Sequence, residues 1–590
     1  MNKYFLILLT LFFACRDSQQ NGGDSNFSEM IRVNQIGYYP NAPKLAVALN
    51  REATNFQVTS PDLQKTVYSG TLSGPHSSSF SDKTTWWADF SEFKTPGEYV
   101  ILIEGVGHSF PFEIQDEVFT PVAEAALKSY YFQRISTGLP EEYAGKWSRK
   151  SGHPDLSVEI HPSAASSERP AGTTIKAPGG WYDAGDYGKY IVNSGISTAT
   201  LLSAYEDFGA YFDTLKVNIP ESSNQVPDLL DETLWNLRWM LAMQDPNDGG
   251  VYHKLTTAGF TGMIMPAETS GTRYVIQKST AATLDFAAVM AQAARIYDDF
   301  ATYYPGLADS CLAASQKAWN WAQENPDQLY RQNEMNEKYD PDITTGAYGD
   351  NNVEDEFSWA ASELLVTTGD QNYFQHINFI PPESFKVPSW GQVHLLGFYS
   401  LLRYQEQIPA ISQKSLSELS QNLLTFAEKL IQDVDQQAFK TVMEPDQRNF
   451  VWGSNAVAVN QGIALIQAYN LSKDPRFLNY ALANLDYLLG KNATGYSYLT
   501  GYGDKTPMFI HHRPSEADQV EDPVPGLLAG GPNPAQQDQE SYPSDVPDES
   551  YVDIVGSYAS NEIAINWNAP FVYLTGALEA LQYEVGWSER

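Results

Sequence analysis

The 590-residue chain has little cysteine: two residues, Cys15 and Cys311. Two thiols 296 positions apart cannot form the disulfide framework of a small secreted domain. Positive charge is also scarce, with 37 Lys and Arg against 72 Asp and Glu and a formal net charge of −35. Such a chain repels nucleic acid and anionic membrane surfaces, which removes both from the partners that charge would recruit. The balance suits a neutral substrate such as an uncharged polysaccharide, although solubility alone also accounts for it. What is present is apolar material: 42% hydrophobic and 18% charged residues give enough for a large core and too much for intrinsic disorder. Aromatics reach 13%, with 35 Tyr and 13 Trp. Sugar rings stack on such side chains, and cores use them too, so composition does not separate the two uses.

The N-terminus reads as a targeting segment. Lys3 precedes an apolar run from Tyr4 to Phe13, which is too short to span a bilayer and suits a signal peptide. Ala14-Cys15 then looks like a bacterial lipobox, with Phe12 where the usual Leu stands. Lipidation of Cys15 predicts an extracytoplasmic protein held on a bacterial membrane, at the cell surface or in the periplasm; plain secretion is the alternative. It also leaves Cys311, in an alanine-rich helical stretch, as a small buried hydrophobe.

Residues 1–15 are thus a signal segment with its acceptor Cys, and the polar stretch 16–28 is a flexible tether. From about Ile31 to Ile114 short β-type runs (Lys44 to Leu49, Phe56 to Ser60, Tyr99 to Ile103) alternate with turn formers such as Pro61-Asp62 and Pro96-Gly97. Residues 29–115 therefore predict a small β-sandwich. After Phe119 helical periods take over: Val226 to Gln244, Gln277 to Tyr297, Glu354 to Thr367, Asn455 to Tyr469 and Phe477 to Leu489, with Gly490 as a helix end. Residues 116–590 predict helical hairpins arranged in a ring. The polar, Pro-rich stretch Asp504 to Ser550 is long enough to be functional rather than a mere connection.

Three loops carry chemistry. Gly179-Gly180-Trp181-Tyr182-Asp183-Ala184-Gly185-Asp186 sets two carboxylates three apart among glycines and aromatics, an arrangement that can hold one water; an Asp-rich turn or a calcium loop is the alternative. Ser497 to Gly503, continuing to His511-His512-Arg513, offers donors to sugar hydroxyls; a structural loop with a metal-binding His pair is the alternative. Tyr551-Val552-Asp553, Tyr558 and Glu562 place a Glu among aromatics, where an apolar pocket can raise its pKa and make it an acid; an exposed helix-start Glu is the alternative.

Taken together, in this order, the three loops resemble the signatures of glycoside hydrolase family 9. Arg32-Val33-Asn34-Gln35-Ile36-Gly37-Tyr38 resembles the start of the immunoglobulin-like domain found in one branch of that family, and Asp228 to Glu232 and Trp452 to Asn455 resemble further family segments. The resemblance implies a mainly α protein: an (α/α)6 barrel of six inner and six outer helices, preceded by an immunoglobulin-like β-sandwich. It implies Asp186 as general base, Asp183 as its partner on the attacking water, Glu562 as general acid, Asp553 as a supporting signature carboxylate, and His511 and Arg513 as sugar contacts. It further implies inversion, with base and acid about 6.5–9.5 Å apart. Trp452, Trp567 and Tyr558 are candidate sugar contacts, the two tryptophans being equally candidates for core. Asp350, Asp355 and Glu356 resemble a family calcium loop, with an acid-rich helix start as the alternative. No cofactor is required for the chemistry. The structural zinc of certain relatives should be absent, because Cys311 stands alone. The expected activity is endo-acting hydrolysis of β-1,4-glucosidic bonds in cellulose or related β-glucans by a monomer. Exo action of the same family and a non-catalytic surface glycan-binding lipoprotein are the alternatives.

Overall fold

The computed structural model describes residues 26–49, 53–408 and 413–589. Residues 1–15, read above as a signal segment ending in Cys15, and most of the stretch read as a tether lie outside these residues.

Short strands between Ile31 and Ile114 form two sheets, of four and six strands. The runs read from the sequence are there, as Leu45–Ala48, Asn55–Thr59 and Gly97–Ile103. Alternation decides which side chains meet between the sheets: Phe56, Val58, Ile101 and Phe112 from one face Ala46, Ala88 and Phe90 from the other.

The remainder is helical. The long helices among the described residues are α1 (Thr120–Gln133), α2 (Ile191–Phe212), α3 (Asp228–Ala242), α4 (Thr280–Asp298), α5 (Leu307–Glu324), α6 (Glu354–Thr368), α7 (His394–Arg403), α8 (Gln413–Ile431), α9 (Ser454–Ser472), α10 (Pro475–Leu488) and α11 (Ile565–Leu581). Helices α2, α4, α6, α7, α9 and α11 make the inner ring, α2 packing on α4 and on α11. They alternate along the chain with α1, α3, α5, α8 and α10 outside. The sixth outer position is a short 3-10 turn, Gln371–His376, rather than a helix. Sequence pattern explains the division. Inner helix α4 is alanine-rich and buried on nearly every side, whereas outer α8 buries only a stripe, Leu416, Leu419, Leu423, Phe426, Ala427 and Ile431. Cys311 lies fully buried in α5. None of the described helices is long and apolar enough to cross a membrane.

Two local devices join the parts. In the α9–α10 turn, Lys473 takes φ +56° and the Asp474 side chain caps α10 by accepting from Arg476 N. Gly490, read as a helix end, does more: a Cβ there would come within 2.6 Å of Val33 O and Gln35 Nε2. Its bareness lets the sandwich dock, with Gln35 N donating to Leu489 O (2.9 Å) and Asn34 Nδ2 to Asp486 Oδ1 (2.9 Å).

One element had no signal in the sequence. Five short strands, Val158–Ile160, Thr174–Ile175, Lys189–Tyr190, Lys254–Thr256 and Tyr274–Val275, form a third sheet inside the barrel domain. Strands of two or three residues are too short to display a period.

Candidate active site

Inner helices alternate with outer ones, so all six inner helices point the same way and their N-termini gather at one end of the barrel. The candidate residues precede those N-termini: Asp183 and Asp186 before α2, Tyr348 and Asp350 before α6, Trp390 before α7, Trp452 before α9, and Glu562 before α11. First and last inner helices are neighbours in the closed ring, which brings the two ends of the catalytic domain together. An antiparallel bridge between Ala184 and Ala564, and a bond from Ile565 N to Asp183 O (2.9 Å), lay the two carboxylate loops side by side. Gly185 permits this closeness, since a Cβ on it would come 2.0 Å from His511 O.

The aspartates are held differently. Asp183 is buried, and both of its oxygens are taken: Asn193 Nδ2 donates to Oδ1 (2.7 Å) and Tyr348 OH to Oδ2 (2.6 Å). Burial, and then the charge of Asp186, push its pKa up to about 8. Asp186 receives Gly188 N (3.0 Å) and Tyr190 OH (2.9 Å), both on Oδ2; Oδ1 accepts no hydrogen bond from the described residues. Glu562 is partly exposed, and its pKa is raised well above the usual range. Burial is the main cause, followed by the charges of Asp186 and Asp183; Arg513 and the Gly185 N–H oppose it. Glu562 feels the charges of both aspartates and Asp183 that of Asp186, and the Ala184–Ala564 bridge sets their loops side by side, so the three carboxylates gather at one end of the barrel.

The other sequence candidates divide. His511 sets Nδ1 against Val555 O (2.7 Å), which fixes Nδ1 as the donor and leaves Nε2 an acceptor. His512 is buried between Gln133 and Ser515, its pKa pushed down to about 3 by burial, so the adjacent histidines serve different surroundings. Arg513 spends Nε on Thr261 O (3.0 Å) and Nη1 on Gly185 O (2.6 Å), and thereby braces the aspartate loop. Asp553, grouped from its motif with the catalytic carboxylates, stands apart from them. It accepts Met508 N (2.8 Å), Phe509 N (2.9 Å) and Asn561 Nδ2 (2.9 Å), and so clamps the loop carrying His511 to the segment carrying Glu562. Three donors on one carboxylate make it a positioning group.

Trp452 is 42% exposed, with its ring 5.3 Å from that of Tyr558, which in turn lies 6.0 Å from His511. These three rings form one aromatic wall. Trp567 is not part of it. It is 9% exposed, packed with Ala184 and Ala564, and so close to residue 453 that a Cβ on Gly453 would come within 2.6 Å of its Nε1. It is a wedge behind the carboxylate loops rather than a sugar platform. Sequence reasoning missed Tyr348, Tyr190 and Asn193, the clamps of the aspartate pair, and Trp390, 36% exposed and 5.5 Å from Tyr348. Exposed tryptophan in a loop was the only available signal for Trp390, and none distinguished the clamps.

The calcium candidates are connected but dispersed. Asp350 Oδ1 accepts Asn352 N (2.8 Å) and Asp355 Oδ2 accepts Val393 N (2.8 Å). Glu356 is fully buried with neither oxygen hydrogen-bonded, and so is Asp285 of α4, which the sequence did not single out. Burial raises both well above the usual carboxylate range, helped by the charges of Asp355 and Asp350 and, for Glu356, of Asp285. Among the described residues no three His, Cys, Asp or Glu side chains are placed to hold a metal ion.

With this geometry in view, comparison with known proteins gives a uniform result. The family model described as glycosyl hydrolase family 9 matches residues 119–575, and that described as cellulase N-terminal ig-like domain matches residues 26–108. A xyloglucan-specific endo-beta-1,4-glucanase of Bacteroides ovatus is 47% identical over 555 residues, 94% of each chain. A cellulose 1,4-beta-cellobiosidase of Acetivibrio thermocellus is 32% identical over 93% of this chain and 67% of its own. Among solved structures, Bacteroides ovatus GH9 superposes with a TM-score of 0.89 at 46% identity, covering 94% of this chain and all (100%) of the other.

Proposed function

The chain belongs to glycosyl hydrolase family 9 and carries that family's immunoglobulin-like domain ahead of an (α/α)6 barrel, and from this premise we propose how it cuts its substrate. It is a glycoside hydrolase of the endoglucanase type, acting on β-1,4-linked glucan. In our reading Glu562 protonates the glycosidic oxygen as the bond breaks. Asp186 removes a proton from the water that attacks C1 from the opposite side, and Asp183 orients that water. The electrostatics support this division. Burial, and then the Asp186 and Asp183 carboxylates, push the Glu562 pKa well above the usual range, the direction that a general acid requires. Asp186 keeps one oxygen unengaged, as a base requires. The single observation that carries the reading is that the loops of Asp183 and Glu562, from opposite ends of the barrel sequence, lie side by side through the Ala184–Ala564 bridge and the Ile565 N to Asp183 O bond.

We take xyloglucan as the first substrate to test, on the strength of the Bacteroides ovatus relative, with Trp452 and Trp390 as stacking faces. Purified enzyme is expected to drop the viscosity of tamarind xyloglucan or barley β-glucan well before reducing ends accumulate. A single small product from the first time points, with viscosity retained, would instead establish chain-end action. We further propose that Cys15 carries lipid and that the enzyme works as a monomer on the membrane exterior; Cys15→Ser should move activity from the membrane fraction to the medium or periplasm, and no shift would discard the anchor.

Calcium is proposed on narrower ground, since among the described residues no three of these side chains converge on one point. Glu356 and Asp285 are two buried carboxylates whose oxygens lack donors, with Asp350 and Asp355 contributing to the same negative field. An ion there would neutralise that field and fix the loop bearing Tyr348. EDTA treatment is expected to lower Tm by several degrees and added Ca²⁺ to restore it. A Tm indifferent to both would mean that the two carboxylates are satisfied by protons.

A further inference from the structure

Lys254 is a lysine with no access to water at all, 0% exposed, in the small third sheet behind the aspartate loop. A buried ammonium is costly unless its donors are matched. Here they are: Nζ donates to Gln332 Oε1 (2.7 Å) and Gly346 O (2.8 Å), with longer bonds to Thr345 O (3.4 Å) and Thr345 Oγ1 (3.3 Å). Gln332 Nε2 in turn donates to Thr345 O (2.9 Å), so the lysine and the glutamine together tie down the main chain at 345 and 346.

The chain so held leads directly to Tyr348, which clamps Asp183. Tyr348 has φ +46°, a left-handed conformation that costs a non-glycine residue about 1 kcal/mol or more and persists only where the surroundings impose it. On its other side Lys254 is the register partner of Tyr190 across the antiparallel strands, and its Nζ lies 5.7 Å from that ring. Tyr190 clamps Asp186. The two tyrosine rings are themselves 4.9 Å apart, and a Cβ on Gly346 would sit 3.4 Å from the Tyr190 ring. One buried cation therefore touches the supports of both aspartates.

We propose that Lys254 is a positioning residue that yokes the Tyr190–Asp186 and Tyr348–Asp183 clamps, so that the aspartate pair is set as a unit against the attacking water. This rests on the assignment of Asp183 and Asp186 made above. The charged and titratable groups around Lys254 are Asp186, Tyr190, Tyr330 (5.2 Å from Nζ), His253 and His161. Asp186 is the charge that pulls the ammonium pKa up, against burial, which lowers it to about 7.

Lys254→Met is expected to lower kcat about 30-fold with KM within about twofold, as a displaced base does without loss of substrate contacts. Combining it with Tyr348→Phe should cost no more than the larger single loss, because both changes break one linkage. Multiplicative losses, or a normal kcat, would overturn the proposal. Should near-UV circular dichroism show that Lys254→Met is misfolded, Gln332→Leu tests the same grip and is expected to lower kcat about tenfold at unchanged KM; an unchanged kcat would refute it. Asp186→Asn serves as the reference. Full turnover by that variant would defeat the site assignment itself, whereas an inert Asp186→Asn beside a fully active Lys254→Met defeats only the role given to the lysine.

Discussion

Glu562→Gln is expected to cut turnover of a polysaccharide by about 10³-fold, within the range that a positioned acid contributes. Glutamine keeps the shape and the neutral charge that Glu562 has when protonated, so the pocket has no reason to rearrange. What it lacks is the proton for the departing sugar oxygen. The loss should therefore shrink on a substrate whose leaving group needs no proton, such as an aryl glycoside with an acidic phenol. Stability gives an independent check with a definite sign. The Glu562 pKa is raised in the folded chain, so over the range between its ordinary and its folded value the native state holds a proton that the unfolded state has lost. Stability from this group is full at low pH and is lost as pH climbs through that window. The variant should consequently match or exceed the parent Tm at pH 8 while showing little difference near pH 4. Turnover of xyloglucan within tenfold of the parent would remove Glu562 from the acid's role.

Much of this site is legible in the sequence, for a physical reason. Reacting carboxylates must sit in tight turns beside glycine and aromatic residues, and such turns leave a local pattern: Asp183-Ala184-Gly185-Asp186 and the stretch from Tyr551 to Glu562. Long helices are legible because burial imposes an apolar period on inner and outer ones alike; α3, α4, α6, α9 and α10 all begin and end within three residues of the positions that period predicts. What the pattern does not encode is which of two like residues faces the cleft. Trp452 and Trp567 have the same side chain and both stand before or within the first turn of an inner helix, yet one is exposed and the other wedged behind Ala184. Long-range supports are equally silent. Tyr348 lies 165 positions from the aspartate it holds, and nothing local marks it. Asp285 is hidden for the opposite reason, as a single acid inside an alanine-rich helix whose period announces only core.

Asp186→Asn is expected to be as damaging as the loss of the acid, about 10³-fold or more in kcat, and Asp183→Asn to be milder. The hydrogen bonds set this order. Each oxygen of Asp183 already accepts one hydrogen bond, from Asn193 or Tyr348, which fixes the carboxylate for orienting water and leaves it less free than Asp186 to serve as the base. Asp186 concentrates its donors on Oδ2, and its other oxygen is the one able to do so. A base can be bypassed by a nucleophile that needs no deprotonation. Azide in the place of the water would attack C1 as the aglycone leaves with the Glu562 proton, giving a glycosyl azide of inverted configuration. Azide should thus restore a measurable part of the Asp186→Asn rate on the aryl glycoside. It should do nothing for Glu562→Gln on polysaccharide, where the missing step is protonation of the leaving group. The stereochemistry follows from the same arrangement, with water and acid on opposite faces of the sugar. Proton NMR of the parent enzyme in the first minutes of hydrolysis is expected to show the α-anomer of the new reducing end before mutarotation mixes the two. A β-anomer first would require one of these aspartates to attack the sugar itself, and the division of labour between Asp183 and Asp186 would have to be abandoned.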